Sequence, residues 1–291
     1  MTTLTLLGVD GSTWDLMGRT SPVQLLGGMG GLHLPSATNR WATTARRSGR
    51  RYKDSVTDAR QFVMNLRVGD AEPPYRVGDD WRALDAQFWA ALAHDRRATL
   101  VFNGQRSLNF RLGDDNAHDF PKDPALLGKA VYSIDCVADR PEWLGAEQVS
   151  TYSFAPVANQ NNYYGATEGP PFVISAPTLS QYASVQNPGD LPTYPIWRIV
   201  GPATTATVGV DGRDIHIPFA LQAGQQVIID TEAQTITDGN GATLWPQMGS
   251  TAVDFAPVPA GGSVPITLGI EDGGVTSLIE VRVTARYRRA W

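Results

Sequence analysis

Cysteine occurs once in the 291 residues, at Cys136. No disulfide can therefore form within the chain, and the thiol is expected to pack as a small apolar group. No apolar run is long enough to span a bilayer. Residues Met1 to Gly8 hold neither a basic stretch nor a long apolar core, so they do not resemble a secretory leader, and synthesis and retention in the cytoplasm until assembly are expected. The four histidines, His33, His94, His118 and His216, lie far apart and keep no metal-ligand spacing. No GxSxG elbow or Walker loop is present. Gly27-Gly28-Met29-Gly30-Gly31 contains no complete GxGxxG and reads as a flexible turn. Paired acids, Asp114-Asp115 and Asp211 with Asp214, fall in turns rich in glycine and asparagine. Aspartate is favoured there for its bonds to nearby backbone, whereas a glycosidase needs two carboxylates facing a scissile bond. The expectation is a protein without catalytic residues, cofactor or metal.

What is present suits sheet. The 29 glycines and 20 prolines fit many short strands joined by turns. A hydrophobic share of 42% with 18% charged residues is globular, and the length makes two domains the default. A net charge of −5 gives no general pull toward nucleic acid or anionic membrane.

In the first half, Leu4, Leu6 and Val9 lead into Asp10-Gly11, with Trp14 and Leu16 beyond, which predicts a hairpin. In Gln61–Val68, Phe62, Met64, Leu66 and Val68 point one way and Gln61, Asn65 and Arg67 the other, the signature of a half-buried strand. Before it lies the densest positive cluster, Arg46, Arg47, Arg50, Arg51 and Lys53. Such a cluster fits a nucleic-acid patch, a solvated loop, or a loop against an acidic neighbouring subunit. The acidic chain, with little aromatic interleaving, argues against specific nucleic-acid binding. Trp81, Leu84, Phe88 and Leu92 recur at helical spacing behind Asp80, which predicts one helix over 81–93, capped by that carboxylate. Asn103-Gly104 between Ala98–Phe102 and Gln105–Leu112 is the strongest hairpin signal in the chain. Tyr132, Ile134 and Cys136 mark a further strand.

From Thr151 to Tyr182 the composition shifts to asparagine, tyrosine, glycine and proline, as in a connector. Beyond it come Asn187-Pro188-Gly189-Asp190, the apolar run Ile196–Val200, and Asp211-Gly212, which suits a type I′ hairpin. Val227–Asp230 and Leu278–Tyr287 complete a set of short strands that argues for a β-sandwich.

The order of these pieces resembles the distal tail protein family of siphophages. The carrying residues are Leu4–Leu7 with Asp10-Gly11, the arginine-led strand from Arg60, the helix with its hairpin and Arg106, Pro141-Glu142-Trp143, Asn187-Pro188-Gly189-Asp190, Tyr194-Pro195, Gly201-Pro202, Ala223-Gly224 before Val227–Asp230, and the Pro259-Ala260-Gly261 turn. The resemblance implies a mainly β protein. A ring-forming belt domain over 1–152 would be β-barrel or sandwich-like with one α-helix, followed by a connector over 153–186 and a galectin-like antiparallel β-sandwich over 187–291. It further implies a homo-hexameric ring at the distal end of a non-contractile tail, between the tail tube protein and the tail hub. Receptor-binding or fibre proteins would be its outer partners, and tape measure and genome would pass through its lumen. Arg46, Arg47, Arg50 and Arg51 are the candidate interface residues. The competing reading is a lectin-like tail-tip module, for which Trp197 and Trp245 are the candidate glycan contacts.

Overall fold

A computed structural model describes residues 2–27, 30–43, 48–154 and 183–291. The chain forms two compact units, one of residues 1–145 with 287–291 and the other of residues 146–286. Both are built on antiparallel sheet. The connector residues 155–182, with Gly28 and Met29 of the glycine-rich turn, lie outside the described residues.

The first unit contains β1 (Leu4–Leu7), β2 (Thr13–Asp15), β3 (Val23–Leu25), β4 (Ala37–Ala42), β5 (Arg51–Thr57), β6 (Arg60–Gly69), α1 (Asp79–Ala90), β7 (Ala98–Phe102), β8 (Arg106–Leu112), α2 (Pro124–Leu127), β9 (Lys129–Ala138) and the start of β10 (Trp143–Ser153). Its main sheet runs β2-β1-β7-β8-β9-β6-β3, antiparallel throughout, with β2 and β3 as its two ends. β4 and β5 form a separate two-stranded ribbon. Period-two alternation places Phe62, Met64, Leu66 and Val68 of β6 in the core beside Tyr132, Ile134 and Cys136 of β9. The β7–β8 turn has positive φ at both Asn103 and Gly104, the type I′ geometry that asparagine and glycine tolerate best.

α1 seals this core with Trp81, Leu84 and Phe88. Trp81 Nε1 donates to the carbonyl of Val68 at 3.2 Å, and Phe88 meets Trp14 edge to face. The helix departs from its sequence reading at the start. Gly78, at φ 63° and ψ −131°, is the N-cap, and no side chain caps it. Asp79 and Asp80 occupy the first turn, where their charge complements the helix dipole. Leu92 is buried just past the helix end. A second helix, α2, was not expected. It is one turn long, with Asp123 accepting the amide of Ala125 and Gly128 ending it in the left-handed region.

The second unit holds the rest of β10, β11 (Ser184–Asn187), β12 (Ile196–Val200), β13 (Ala206–Val210), β14 (Arg213–Ile217), β15 (Gln226–Asp230), β16 (Thr235–Asp238), α3 (Trp245–Met248), β17 (Gly262–Ile270) and β18 (Leu278–Tyr287), whose last residue belongs to the first unit. One sheet runs β16-β15-β12-β18-β10 and the other β11-β17-β13-β14. Trp197, Ile199, Ile229 and Val281 of the first pack with Val208, Ile217 and Leu268 of the second in one core, which makes the unit a β-sandwich. Asp211 and Gly212 both take positive φ, so the β13–β14 turn is type I′.

The Asn187–Asp190 turn is held from inside. Asn187 is 1% exposed. Its amide nitrogen lies within hydrogen-bond distance of the carbonyls of Leu191, Val258 and Pro259, and its oxygen accepts the amide of Gly189.

Candidate interaction surfaces

Among the described residues, the β4–β5 ribbon behaves unlike any other strand pair. Every residue of β5 is exposed, and in β4 only Ala42 is half-buried. A strand of a folded domain normally hides one face, and a lone hairpin is marginally stable in water. This one nevertheless carries Trp41, Tyr52 and Val56, which are 49%, 52% and 41% exposed. Trp41 and Tyr52 pack edge to face at 5.5 Å, while Arg40 and Asp54 pair at 3.6 Å. A ribbon with aromatics on its surface and no buried face of its own has the character of an arm that docks on something else.

Of the basic cluster, Arg50, Arg51 and Lys53 are described. Ala42 and Arg51 form the last pair of this ribbon, and Arg50 precedes it, exposed like Arg51. Arg46 and Arg47 lie outside the described residues. The segment from Arg51 is strand rather than loop.

Two buried or stacked arginines of the first unit hold the end of the chain. Arg60 is 1% exposed, and its guanidinium donates to the carbonyls of Pro141, Gly31, Leu32 and Arg288. Burial lowers its pKa, but saturation with carbonyl acceptors gives the charge its partners. Arg106 donates to the carbonyl of Arg289 at 2.8 Å and stacks on the Tyr287 ring at 3.6 Å. Beyond them Ala290 is buried, and Trp291 packs with His33 and Phe102. An apolar groove of about 300 Å³ opens here, lined by Leu4, Met17, Leu32, Phe102, Trp143 and Trp291 among others.

In the second unit the two tryptophans singled out from the sequence part company. Trp197 is 1% exposed in the sandwich core, so it has no face to offer a glycan. Trp245, on α3, is 41% exposed and meets Phe255 edge to face. The structure does not bring them together into one platform. An open trough of about 450 Å³ lies instead between the β14–β15 connection, the turn after β16, and α3. No spacing in the sequence marks it, because its walls come from three separate turns.

Of the paired acids, Asp114, Asp115, Asp211 and Asp214 are exposed, the last two at the β13–β14 turn. Among the described residues, no group of three or more His, Cys, Asp or Glu side chains is placed to hold a metal ion. No helix among them is long and apolar enough to cross a membrane.

No protein-family model matches the sequence, and no curated protein matches it. The fold, however, is shared with solved phage structures over nearly the whole chain. The SPP1 Dit (gp 19.1) protein, described as a paradigm of the hub adsorption apparatus in phages infecting Gram-positive bacteria, superposes with a TM-score of 0.64 at 15% identity, covering 98% of this chain and 99% of that one. The phage P2 baseplate in its activated conformation with calcium gives a TM-score of 0.52 at 14% identity, with 99% of each chain covered. The same baseplate with strontium gives 0.50 at 16% identity and the same coverage. This chain therefore has the fold of a Dit protein.

Proposed function

We propose that the protein is a structural component of a phage tail tip, a subunit of a closed ring at the distal end of a non-contractile tail. The full-length likeness to a Dit hub protein and to chains of a baseplate supports the location. The observation on this molecule that carries self-assembly is the β4–β5 arm, exposed on both faces and tipped with arginine.

A ring of identical subunits needs a heterologous interface: one surface of each copy grips a different surface of the next, and the rotation closes. An arm that buries nothing in its own subunit is suited to such a grip. In this reading the first unit forms the ring, six-membered by resemblance, joining the tail tube protein to the tail hub and leaving a lumen for tape measure and genome. The second unit holds receptor-binding or fibre proteins. The role is mechanical, with no catalytic step, cofactor or membrane insertion, and the subunit reaches the virion from the host cytoplasm.

Light scattering on the purified chain over a range of concentration tests the assembly, with negative-stain images of the same samples. Rings of one defined mass are expected. A monomer mass at every concentration, with no rings on the grid, would overturn the reading.

A further inference from the structure

We propose that the trough of the second unit is a binding site for a neutral, hydroxyl-rich saccharide. This goes beyond the ring reading and stands or falls separately from it.

The trough is about 450 Å³, within the usual range for small-ligand clefts. Its apolar lining comes from Phe219, Leu221 and Leu244. Its polar wall is made of Gln225, Gln226, Asn240 and Gln247, with a single carboxylate, Asp238.

The orientation of two of these amides is fixed by chemistry. Gln225 Oε1 accepts the backbone N–H of Gln222 at 2.8 Å, and Gln226 Oε1 accepts Nε–H of Arg198 at 3.0 Å. Both partners are donors only, so each amide must turn its oxygen toward them. Each therefore keeps its NH2 group for another acceptor. Asp238 is divided in the same way. Its Oδ1 accepts the amides of Asn240 and Ala242, at 2.9 and 2.8 Å, leaving Oδ2 as an acceptor. The wall thus offers donors from fixed amides beside an acceptor from a fixed carboxylate. A hydroxyl, which donates once and accepts twice, matches that mixture.

Charge narrows the ligand class. No cation lines the trough, so a phosphate polymer or nucleic acid finds no counter-charge there. Arg198 stands behind Gln226, paired with Glu280 at 3.5 Å. A peptide added as a strand would need open backbone groups at the β16 edge. That edge is occupied by the chain itself: Asp238 N donates to Ala242 O, Leu244 N to Ile236 O, and Thr237 bridges Thr243. A sugar, with an apolar ring face for Phe219 and hydroxyls for the amides, uses every surface present.

The test is the full chain on a glycan array carrying neutral oligosaccharides of hexose and N-acetylhexosamine beside acidic ones, with affinities for retained glycans measured by calorimetry. Neutral glycans should be retained. Gln247→Trp, which fills the trough from an exposed helix position, should weaken them about tenfold or more, the size of at least one lost hydrogen bond. Asn240→Trp provides the same blockade from the opposite turn should the first variant fold poorly. Light-scattering mass should be unchanged in both, which separates this site from ring assembly. Retention of no neutral glycan, a preference for acidic ones, or affinity indifferent to both blocking variants would overturn the assignment.

Discussion

Arg60 donates to the carbonyl of Arg288 at 2.7 Å, joining the head of β6 to a residue 228 positions later in the sequence. The same guanidinium serves Pro141, Gly31 and Leu32, so four backbone oxygens from three parts of the first unit depend on one side chain. Arg60→Ala would remove the donor that these oxygens share, one of them in a buried bond and three in part-buried ones, and a loss of about 3 kcal/mol is expected in urea unfolding. Arg106→Ala, which removes an exposed bond and a stack on Tyr287, should cost about 1 kcal/mol. Equal losses for the two would mean that Arg60 is no more than one surface contact among several.

Tyr132 and Asp85 make a pH-sensitive pair. The phenol donates to Asp85 Oδ1 at 2.6 Å, and burial, reinforced by that bond, pushes its pKa well above the usual value. Above about pH 10 an unfolded tyrosine releases its proton while this one keeps it in the fold. The unfolded state then binds fewer protons, so stability falls as pH rises, by about 1.4 kcal/mol per unit. Tyr132→Phe should cost about 1 kcal/mol at pH 8 through the lost bond. By pH 11 the variant should match or exceed the parent, because it has no proton to hold. Parallel stability curves for the two proteins between pH 8 and 11 would refute this.

The arm gives a prediction about association without unfolding. Arg50→Glu with Arg51→Glu, or Trp41→Ser, alters residues with no buried contact in their own subunit, so melting of the monomeric fold should shift by no more than about 0.5 kcal/mol. Ring mass should nevertheless fall toward the monomer. If the arginines act through charge, the parent ring should also loosen as salt rises. Rings that survive both variants would remove the arm from the interface.

Much of the architecture is legible in the chain because local rules and tertiary structure agree. Asn103-Gly104 and Asp211-Gly212 sit where positive φ is needed twice in succession, and both make the turn they specify. β6 and β18 alternate because each has one buried face: Phe62 to Val68 in one, Ile279 to Ala285 in the other. The arm left no such trace. With both faces in water, Thr38, Asn39 and Arg40 carry no period-two pattern, and the arginines beyond them read as loop. α2 and α3 are too short, at one turn each, for any helical periodicity to register. Asp80 looked like a cap because carboxylates favour both the cap and the first turn; only the backbone of Gly78 separates the two cases. The trough is invisible in sequence for a different reason. Gln225, Asp238 and Gln247 are ordinary turn and surface residues until the sandwich sets them around one space.

The Asn187–Asp190 turn after β11 tests whether a motif of common turn residues is there for its backbone or for its side chains. A Cβ on Gly189 would lie 2.4 Å from the carbonyl oxygen of Arg286 and 2.8 Å from its nitrogen, and neither can retreat without moving β18. Gly189→Ala should therefore cost about 2 kcal/mol or more. Gly262→Ala, at the start of β17 with open space around it, should be nearly neutral. Asn187→Asp keeps the shape but places a carboxylate oxygen where the amide nitrogen faced three carbonyls. A loss of about 2 kcal/mol is expected from that change, and it should shrink at acid pH as the carboxyl regains a proton to donate. If Asn187→Asp proves neutral while Gly189→Ala is costly, the turn is fixed by close approach of backbone alone. If both are costly, close packing and the buried amide hold it together.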